Sequence, residues 1–207
     1  MKWHQAVHQL VLGGARSGKS SHAEALARAS RLDVTVIVTG EARDDEMRER
    51  IARHRAERPA QWRVVEAPVR LAEALLAAAD GERCVIVDCL TLWLSNTLFA
   101  APPGVDGGAP DVTPAEGVAS CDDAIFRRER AALFDCLNRV RGPVIFVSNE
   151  VGLGIVPADP LSRRFRDEAG RLHRELAARC SVVTFVAAGL PLVLKAPPPP
   201  MEPGGGA

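Results

Sequence analysis

The sequence predicts an α/β protein in which a mostly parallel sheet carries helices on both faces. Three observations point there. Short β-branched runs alternate with helical patterns along the chain, the rhythm of strand–helix–strand units whose parallel strands are buried on both sides. The first such junction holds GGARSGKS (residues 13–20), a glycine-rich turn between a strand and a helix. A later apolar run, CVIVD (residues 84–88), ends in a carboxylate at the same kind of junction.

Taken in order, HQLVL (8–12) reads as a buried strand and 17–29 as the helix after it. VTVIVT (34–39) is a second strand. Residues 44–58 form a charged helix that Pro59 ends. WRVVE (62–66) is a short strand, 69–79 an Ala/Leu helix, and 84–88 a core strand followed by a helix over 91–99. A long helix covers 122–140. VIFVS (144–148) and VVTFV (182–186) are strands, with a helix over 161–178 between them. Residues 100–119 mix Pro, Gly and Asp without apolar period and read as a surface loop. The stretch PPPPMEPGGGA (197–207) reads as a disordered, low-complexity tail. The expected organisation is one domain over 1–195, with 101–117 as a surface loop and 196–207 as a Pro/Gly tail.

Composition removes several function classes. The formal net charge is +0, and 25% of residues are charged, so no basic surface for nucleic acid is indicated. Aromatics are 4% and tyrosine is absent, which leaves little to stack on single-stranded bases. The five cysteines, Cys84, Cys89, Cys121, Cys136 and Cys180, are irregularly spaced without a CxxC pair, so neither zinc nor a disulfide framework is expected. No signal peptide and no membrane span are expected, and a cytoplasmic protein with reduced cysteines is.

Residues 13–20 match G-x-x-x-x-G-K-[ST], the P-loop. Gly13, Gly14 and Gly18 let the chain turn tightly around phosphate oxygens. The amides of Ala15, Arg16 and Ser17 face the same way, and the following helix adds its positive end. Lys19 reaches the β- and γ-phosphates, and the Ser20 hydroxyl ligates Mg²⁺. A P-loop enzyme also needs a carboxylate on the metal side, at the end of an apolar strand. Asp88 fits that place, and it equally fits a helix N-cap. These features give a P-loop NTPase, and the fold alone does not choose among its chemistries.

In the helix over 44–58, Arg50, His54 and Arg58 are four residues apart and share a face. Met47 and Ile51 lie beside it and could dock the helix. Two readings stand. The helix is a solvated one with pairs such as Glu46–Arg50, Arg53 and Arg55 being ordinary surface charges. Or its Arg–His–Arg face meets a polyphosphate, with arginine forks on oxygens and the imidazole facing phosphorus. Surrounding positive charge then disfavours imidazolium and keeps the ring nucleophilic.

Four stretches together resemble the bifunctional adenosylcobinamide kinase / adenosylcobinamide-phosphate guanylyltransferase family of cobalamin biosynthesis. They are LGGARSGKS (12–20), DDEMRERIARHRAERPAQW (44–62), VDCLTLWLSN (87–96) and VSNEVGLGIVPADPLSRRFRDEAGRLHRELA (147–177). The resemblance covers roughly 9–195. Only the first stretch is generic; the second and fourth are specific to the family.

The resemblance implies a RecA-like P-loop fold, generally assembled as a homotrimer. It implies two reactions: phosphorylation of adenosylcobinamide by ATP or GTP, then transfer of GMP from GTP, through a guanylylated histidine, to adenosylcobinamide phosphate. His54 matches that histidine, and Lys19 serves the phosphoryl step. By position, Thr39, Gly40, Glu41, Glu57, Arg58, Pro59, Glu66 and Asp88 join residues 13–20 around the nucleotide. For Thr39, Gly40, Glu41 and Glu66, ordinary turn and capping chemistry is the competing reading. Ser148, Asn149 and Glu150 follow a strand and read either as site residues or as a turn cluster; Asp88 and Glu150 are candidate general bases. RRFRD (163–167) reads as phosphate or corrinoid contacts, or as a solvated basic face. The loop over 101–117 and the tail after Lys195 depart from the family pattern. Two other functions fit the P-loop: a monofunctional kinase or NTPase without a covalent histidine, and a nucleotide-dependent regulatory protein.

Overall fold

A computed structural model describes residues 8–41, 45, 49, 58–100 and 123–196. In chain order its elements are β1 (Gln9–Gly13), α1 (Lys19–Ser30), β2 (Asp33–Val38), β3 (Arg63–Glu66), α2 (Leu71–Ala78), β4 (Arg83–Asp88), α3 (Leu90–Leu98), α4 (Asp123–Cys136), β5 (Val144–Asn149), α5 (Pro160–Arg179), β6 (Val182–Ala187) and β7 (Leu190–Lys195). One seven-stranded sheet has the order β3-β2-β4-β5-β1-β6-β7. β1 through β6 pair in parallel, and β7 is antiparallel to β6.

Alternation along the strands divides the core. Leu10 and Leu12 of β1, with Val144 and Phe146 of β5, face the larger cluster, which α2, α3, α4 and α5 complete with Leu75, Trp93, Leu133 and Leu172. Val11, Ile145 and Val147 point the other way, toward Ala23 and Ala27 of α1. Both faces of the central strands are therefore dry, which is why they read as unbroken apolar runs rather than alternating ones. Two fully buried alanines let α1 lie close on the sheet and fix the P-loop that precedes it. The chain leaves β1 toward β2 and later arrives at β6 on the other side of β1. The carboxyl ends of β1 and its neighbour β5 thus flank a topological switch point, where open α/β sheets bind ligands.

The expected α/β fold is the observed one, with two corrections. β7 was not anticipated. Its run LPLVLK contains Pro191, and an internal proline argues against a central strand. The proline is accommodated because β7 is the sheet's edge, reached through a two-residue turn whose Ala188 and Gly189 both have positive φ, 51° and 78°, as a tight hairpin requires. The helix expected over 122–140 ends at Cys136. Leu137–Arg139 tighten into a turn, with the Arg139 and Val140 amides both donating to the Cys136 carbonyl, which returns Val140 to the core. Of the helix expected over 44–58, Asp45 and Glu49 have helical backbone and Arg58 stands in a bend; His54, Glu57 and the other residues of that span lie outside the described residues, as do the loop 101–117 and the tail 197–207. No described helix is long and apolar enough to cross a membrane.

Candidate active site

The P-loop is built mainly from backbone. A Cβ on Gly13 would lie 2.4 Å from the Val186 carbonyl oxygen and 2.5 Å from Ser17 Oγ, so only glycine fits where β1 turns. Arg16 and Gly18 take left-handed conformations, with φ of 55° and 93°. The Ser17 amide donates to the Gly14 carbonyl at 3.3 Å, and the helix ladder begins with His22 N–H to Gly18 O at 3.0 Å. The first-turn amides of Ser20 and Ser21 precede that ladder and face the loop end. No acidic side chain stands in this turn to compete for them. Lys19 is largely buried, and its ammonium donates to the Gly14 carbonyl at 3.1 Å. The hairpin turn between β6 and β7 supports the loop from behind: the Gly189 amide donates to Ser17 O at 2.8 Å, and a Cβ on Gly18 would press on Gly189 Cα at 3.1 Å.

The two residues expected on the metal side come together. Ser20 and Asp88 line one small cavity with Glu24 and Arg58, floored by sheet residues Val36, Ile86 and Val147. Asp88 does not cap α3. The cap is Cys89, with no side-chain hydrogen bond. Instead, Asp88 Oδ2 accepts from Arg58 Nη2 at 2.5 Å, with the arginine side chain only 7% exposed. A charge this deep is stable only when paired, so Arg58 is anchored at the end of β4, beside Ser20 of the P-loop helix.

The remaining strand ends divide into knitted and outlying positions. Thr39 is fully buried. Its hydroxyl donates to the Cys89 carbonyl at 2.6 Å and accepts from the Cys89 amide at 3.0 Å. Asn96 of α3 donates to the carbonyls of Thr39 and Pro68. These bonds fix the end of β2 against that of β4 and carry the chain into Gly40 and Glu41, both half-buried. Pro59 accepts from the Trp62 amide in a turn after Arg58. Glu66, exposed at the end of β3, lies four strands from β1, roughly 19 Å at ordinary strand spacing, and stands apart from the phosphate cradle.

At the end of β5 the three polar residues diverge. Ser148 Oγ is 2.7 Å from His173 Nε2 of α5, both buried. Burial holds the His173 pKa below its ordinary value, although the Glu150 charge pulls it upward. Asn149 donates to Thr91 Oγ1 at 3.1 Å. The Glu150 amide donates to the Gly13 carbonyl at 3.0 Å, while its carboxylate accepts from the amides of Gly152 and Leu153. Glu150 is thus a turn cap that ties the following loop to the P-loop. Burial raises the thiols of Cys84 and Cys136 to about 11 and of Cys180 to about 12, so they are protonated, apolar packing groups at neutral pH.

Sequence reasoning missed His173, Asn96 and the Gly189 turn. A lone polar residue inside the apolar helix LTLWLSNTL was the available signal for Asn96, since such residues are buried only with partners. Nothing local marks His173, whose partner is 25 residues away.

The comparisons agree with this geometry. A model of the family described as cobinamide kinase / cobinamide phosphate guanyltransferase matches residues 9–194. The bifunctional adenosylcobalamin biosynthesis protein CobP of Pseudomonas aeruginosa is 49% identical over 193 residues, covering 93% of this chain and 99% of that protein. The bifunctional adenosylcobalamin biosynthesis proteins CobU of Escherichia coli and Salmonella typhimurium are 40% and 38% identical, each over 90% of this chain and 98% of theirs. Among solved structures, the RadB recombinase aligns with a TM-score of 0.41 at 16% identity, over 86% of this chain and 73% of that one, too weak a likeness to argue from. With a P-loop at the switch point and Ser20, Arg58 and Asp88 gathered beside it, the chain belongs to the cobinamide kinase / cobinamide phosphate guanyltransferase family and is an enzyme of that kind.

Proposed function

We propose that this enzyme phosphorylates the aminopropanol hydroxyl of adenosylcobinamide with ATP or GTP and then moves GMP from GTP, by way of His54, onto adenosylcobinamide phosphate. In the first guanylyl step a neutral imidazole nitrogen attacks the α-phosphorus and the bond to pyrophosphate breaks. In the second, a phosphate oxygen of the acceptor attacks the same phosphorus, and the P–N bond breaks with its electron pair returning to the ring. The product is adenosylcobinamide-GDP. The observation that carries this reading is the anchoring of Arg58 on Asp88 beside Ser20. His54 is four residues before Arg58, a tether of at most about 14 Å, which favours its meeting the nucleotide over the solvated-helix reading.

Residues 13–20 hold the phosphates in this scheme, with Lys19 neutralising charge on the transferring phosphoryl group. Glu57, Arg58, Pro59 and Asp88 flank them. Thr39, Gly40, Glu41 and Glu66, at the ends of more distant strands, line the far end of the nucleotide. Ser20 and Asp88 would hold Mg²⁺: the donor set is a hydroxyl and a carboxylate, hard oxygens that suit an ion completed by phosphates and water, and Asp88 Oδ1 is left by the Arg58 bond. The ion, when bound, neutralises phosphate charge.

Labelled GTP tests the covalent step. The protein should acquire an acid-labile, alkali-stable label and release pyrophosphate, and His54→Ala should abolish labelling while remaining folded. Undiminished labelling of that variant would sink the assignment. We further propose a cytoplasmic homotrimer. Supporting it, the edge strand β7 exposes Leu190, Leu192, Val193 and Leu194, each more than half exposed, an apolar edge that proteins usually cover. Sedimentation should give three copies for the parent chain and fewer for a Leu192→Lys, Leu194→Lys double variant; an unchanged trimer in that variant places the contact elsewhere.

A further inference from the structure

We propose that the corrinoid acceptor binds across two surface cavities that meet at Arg166 of α5, its phosphate in the arginine-lined one and its ring in the apolar one. The proposal rests on the guanylyl-transfer reading above for the identity of the acceptor.

The first cavity, about 480 Å³, lies between α5 and the loop after β5, and Arg166, Arg171 and Arg174 line it together with Asp167. Arg171 and Arg174, three residues apart, are neighbours on the helix surface, and Arg166 lies two turns before Arg174. Arg166 and Arg171 each have one carboxylate neighbour, Asp167 and Glu168. Arg174 has no acidic partner among the described residues. A surplus of guanidinium forks suits a phosphate monoester, which carries close to two negative charges at neutral pH. The second cavity, about 460 Å³, is lined by Phe99, Val151, Pro157, Leu161 and Phe165, and again by Arg166. Phe99 and Phe165 stack at 6.4 Å, giving a flat apolar wall for a macrocycle. Val151 and Gly152, consecutive in the chain, line different cavities, so the loop itself is the partition between them.

Two further features point to a ligand. The partition is held at both ends: Glu150 caps its start and is bonded to Gly13 of the P-loop, and Arg163 binds the carbonyls of Pro157 and Ala158 at its close. The loop that divides the two cavities therefore starts from the P-loop. Second, Gly170 sits inside the helix, where glycine is unfavourable, yet a Cβ there would meet nothing within 4 Å. Nothing among the described residues requires a glycine there, and Gly170 lines the arginine-lined cavity. Clearance for a bound molecule accounts for it.

Direct titration of the full chain with adenosylcobinamide phosphate, followed by corrinoid absorbance, tests this without requiring turnover. Arg171→Gln with Arg174→Gln should weaken binding of the phosphate form by roughly tenfold or more, the scale of lost charge-assisted hydrogen bonds, and leave unphosphorylated adenosylcobinamide nearly unchanged. Gly170→Leu should weaken both forms. All these variants should keep the parent's assembly state and its labelling by GTP. Parent-like acceptor affinity in the arginine pair and in Gly170→Leu overturns the site. So does a change of assembly state in Gly170→Leu, which would make the groove a subunit contact, and so does a parent chain that fails to bind the acceptor. A parent chain that binds the acceptor with the expected variant losses, but takes no label from GTP, leaves the site standing and removes the covalent step.

Discussion

Gly13 and Gly18 of the P-loop differ from Gly154 and Gly170, between β5 and the end of α5, in what surrounds them. At Gly13 the fold has left no volume for a single carbon, with backbone on one side and Ser17 on the other. Gly18 is confined by conformation and by Gly189 together. At Gly154 and Gly170 an added carbon would meet no described atom within 4 Å. The first kind is required by the chain's own packing. The second is unexplained by packing among the described residues, as the proposed acceptor groove would require. Gly14 belongs to the second kind although it sits in the P-loop: a Cβ there would meet no described atom within 4 Å, the clearance a phosphate needs. The contrast separates residues that build a site from residues that leave it vacant, and substitution can test it.

Gly13→Ala should show the largest effect. The methyl would press on a backbone carbonyl that β6 holds in register with β1, and such overpacking costs about 3 kcal/mol. Urea unfolding should show that loss, and nucleotide binding should go with it because the turn must shift. A variant with parent stability would show that β6 yields easily and would dissolve the distinction.

Gly14→Ala comes next and should split the two readouts. Stability should change by less than about 0.5 kcal/mol, as at other open positions. Nucleotide affinity, read by calorimetry, should fall, because the methyl enters the space where backbone approaches phosphate. Equal losses in both measurements would mean that Gly14 is packed after all.

How much of this was legible beforehand follows the same line. The P-loop and its flanking strand and helix were readable because phosphate binding is local: eight consecutive residues supply the turn, the amides, the lysine and the hydroxyl. Asp88 was readable as the end of an apolar strand. Its pairing with Arg58 was not, because 30 residues separate them and only the fold brings them together. Thr39 was placed at the nucleotide by resemblance, whereas its hydroxyl is committed to the Cys89 backbone, a use that depends on which strand neighbours β2. β7 escaped notice because Pro191 argues against a strand until the sheet's edge is known. The acceptor groove was visible only as a run of arginines in RRFRD. Its shape depends on the loop after β5 lying against α5, and its clearest marker, a helix-interior glycine with no packing reason, needs coordinates to be recognised.

The smallest expected effect is also the most direct test of that marker. Gly170→Ala replaces the poorest ordinary helix former with the best at an exposed interior position of α5, where the new methyl touches nothing. Relief of backbone entropy in the unfolded chain should then stabilise the protein by about 1 kcal/mol, a rise of roughly 2–4 °C in melting temperature for a chain of this size. If the position were packed, the same methyl would destabilise, and the argument for reserved space would fail. A small residue that leaves the groove passable should reduce acceptor affinity less than Gly170→Leu does. Gain in stability joined to a graded loss in acceptor binding is what separates a glycine kept for a ligand from one that merely persists on a surface.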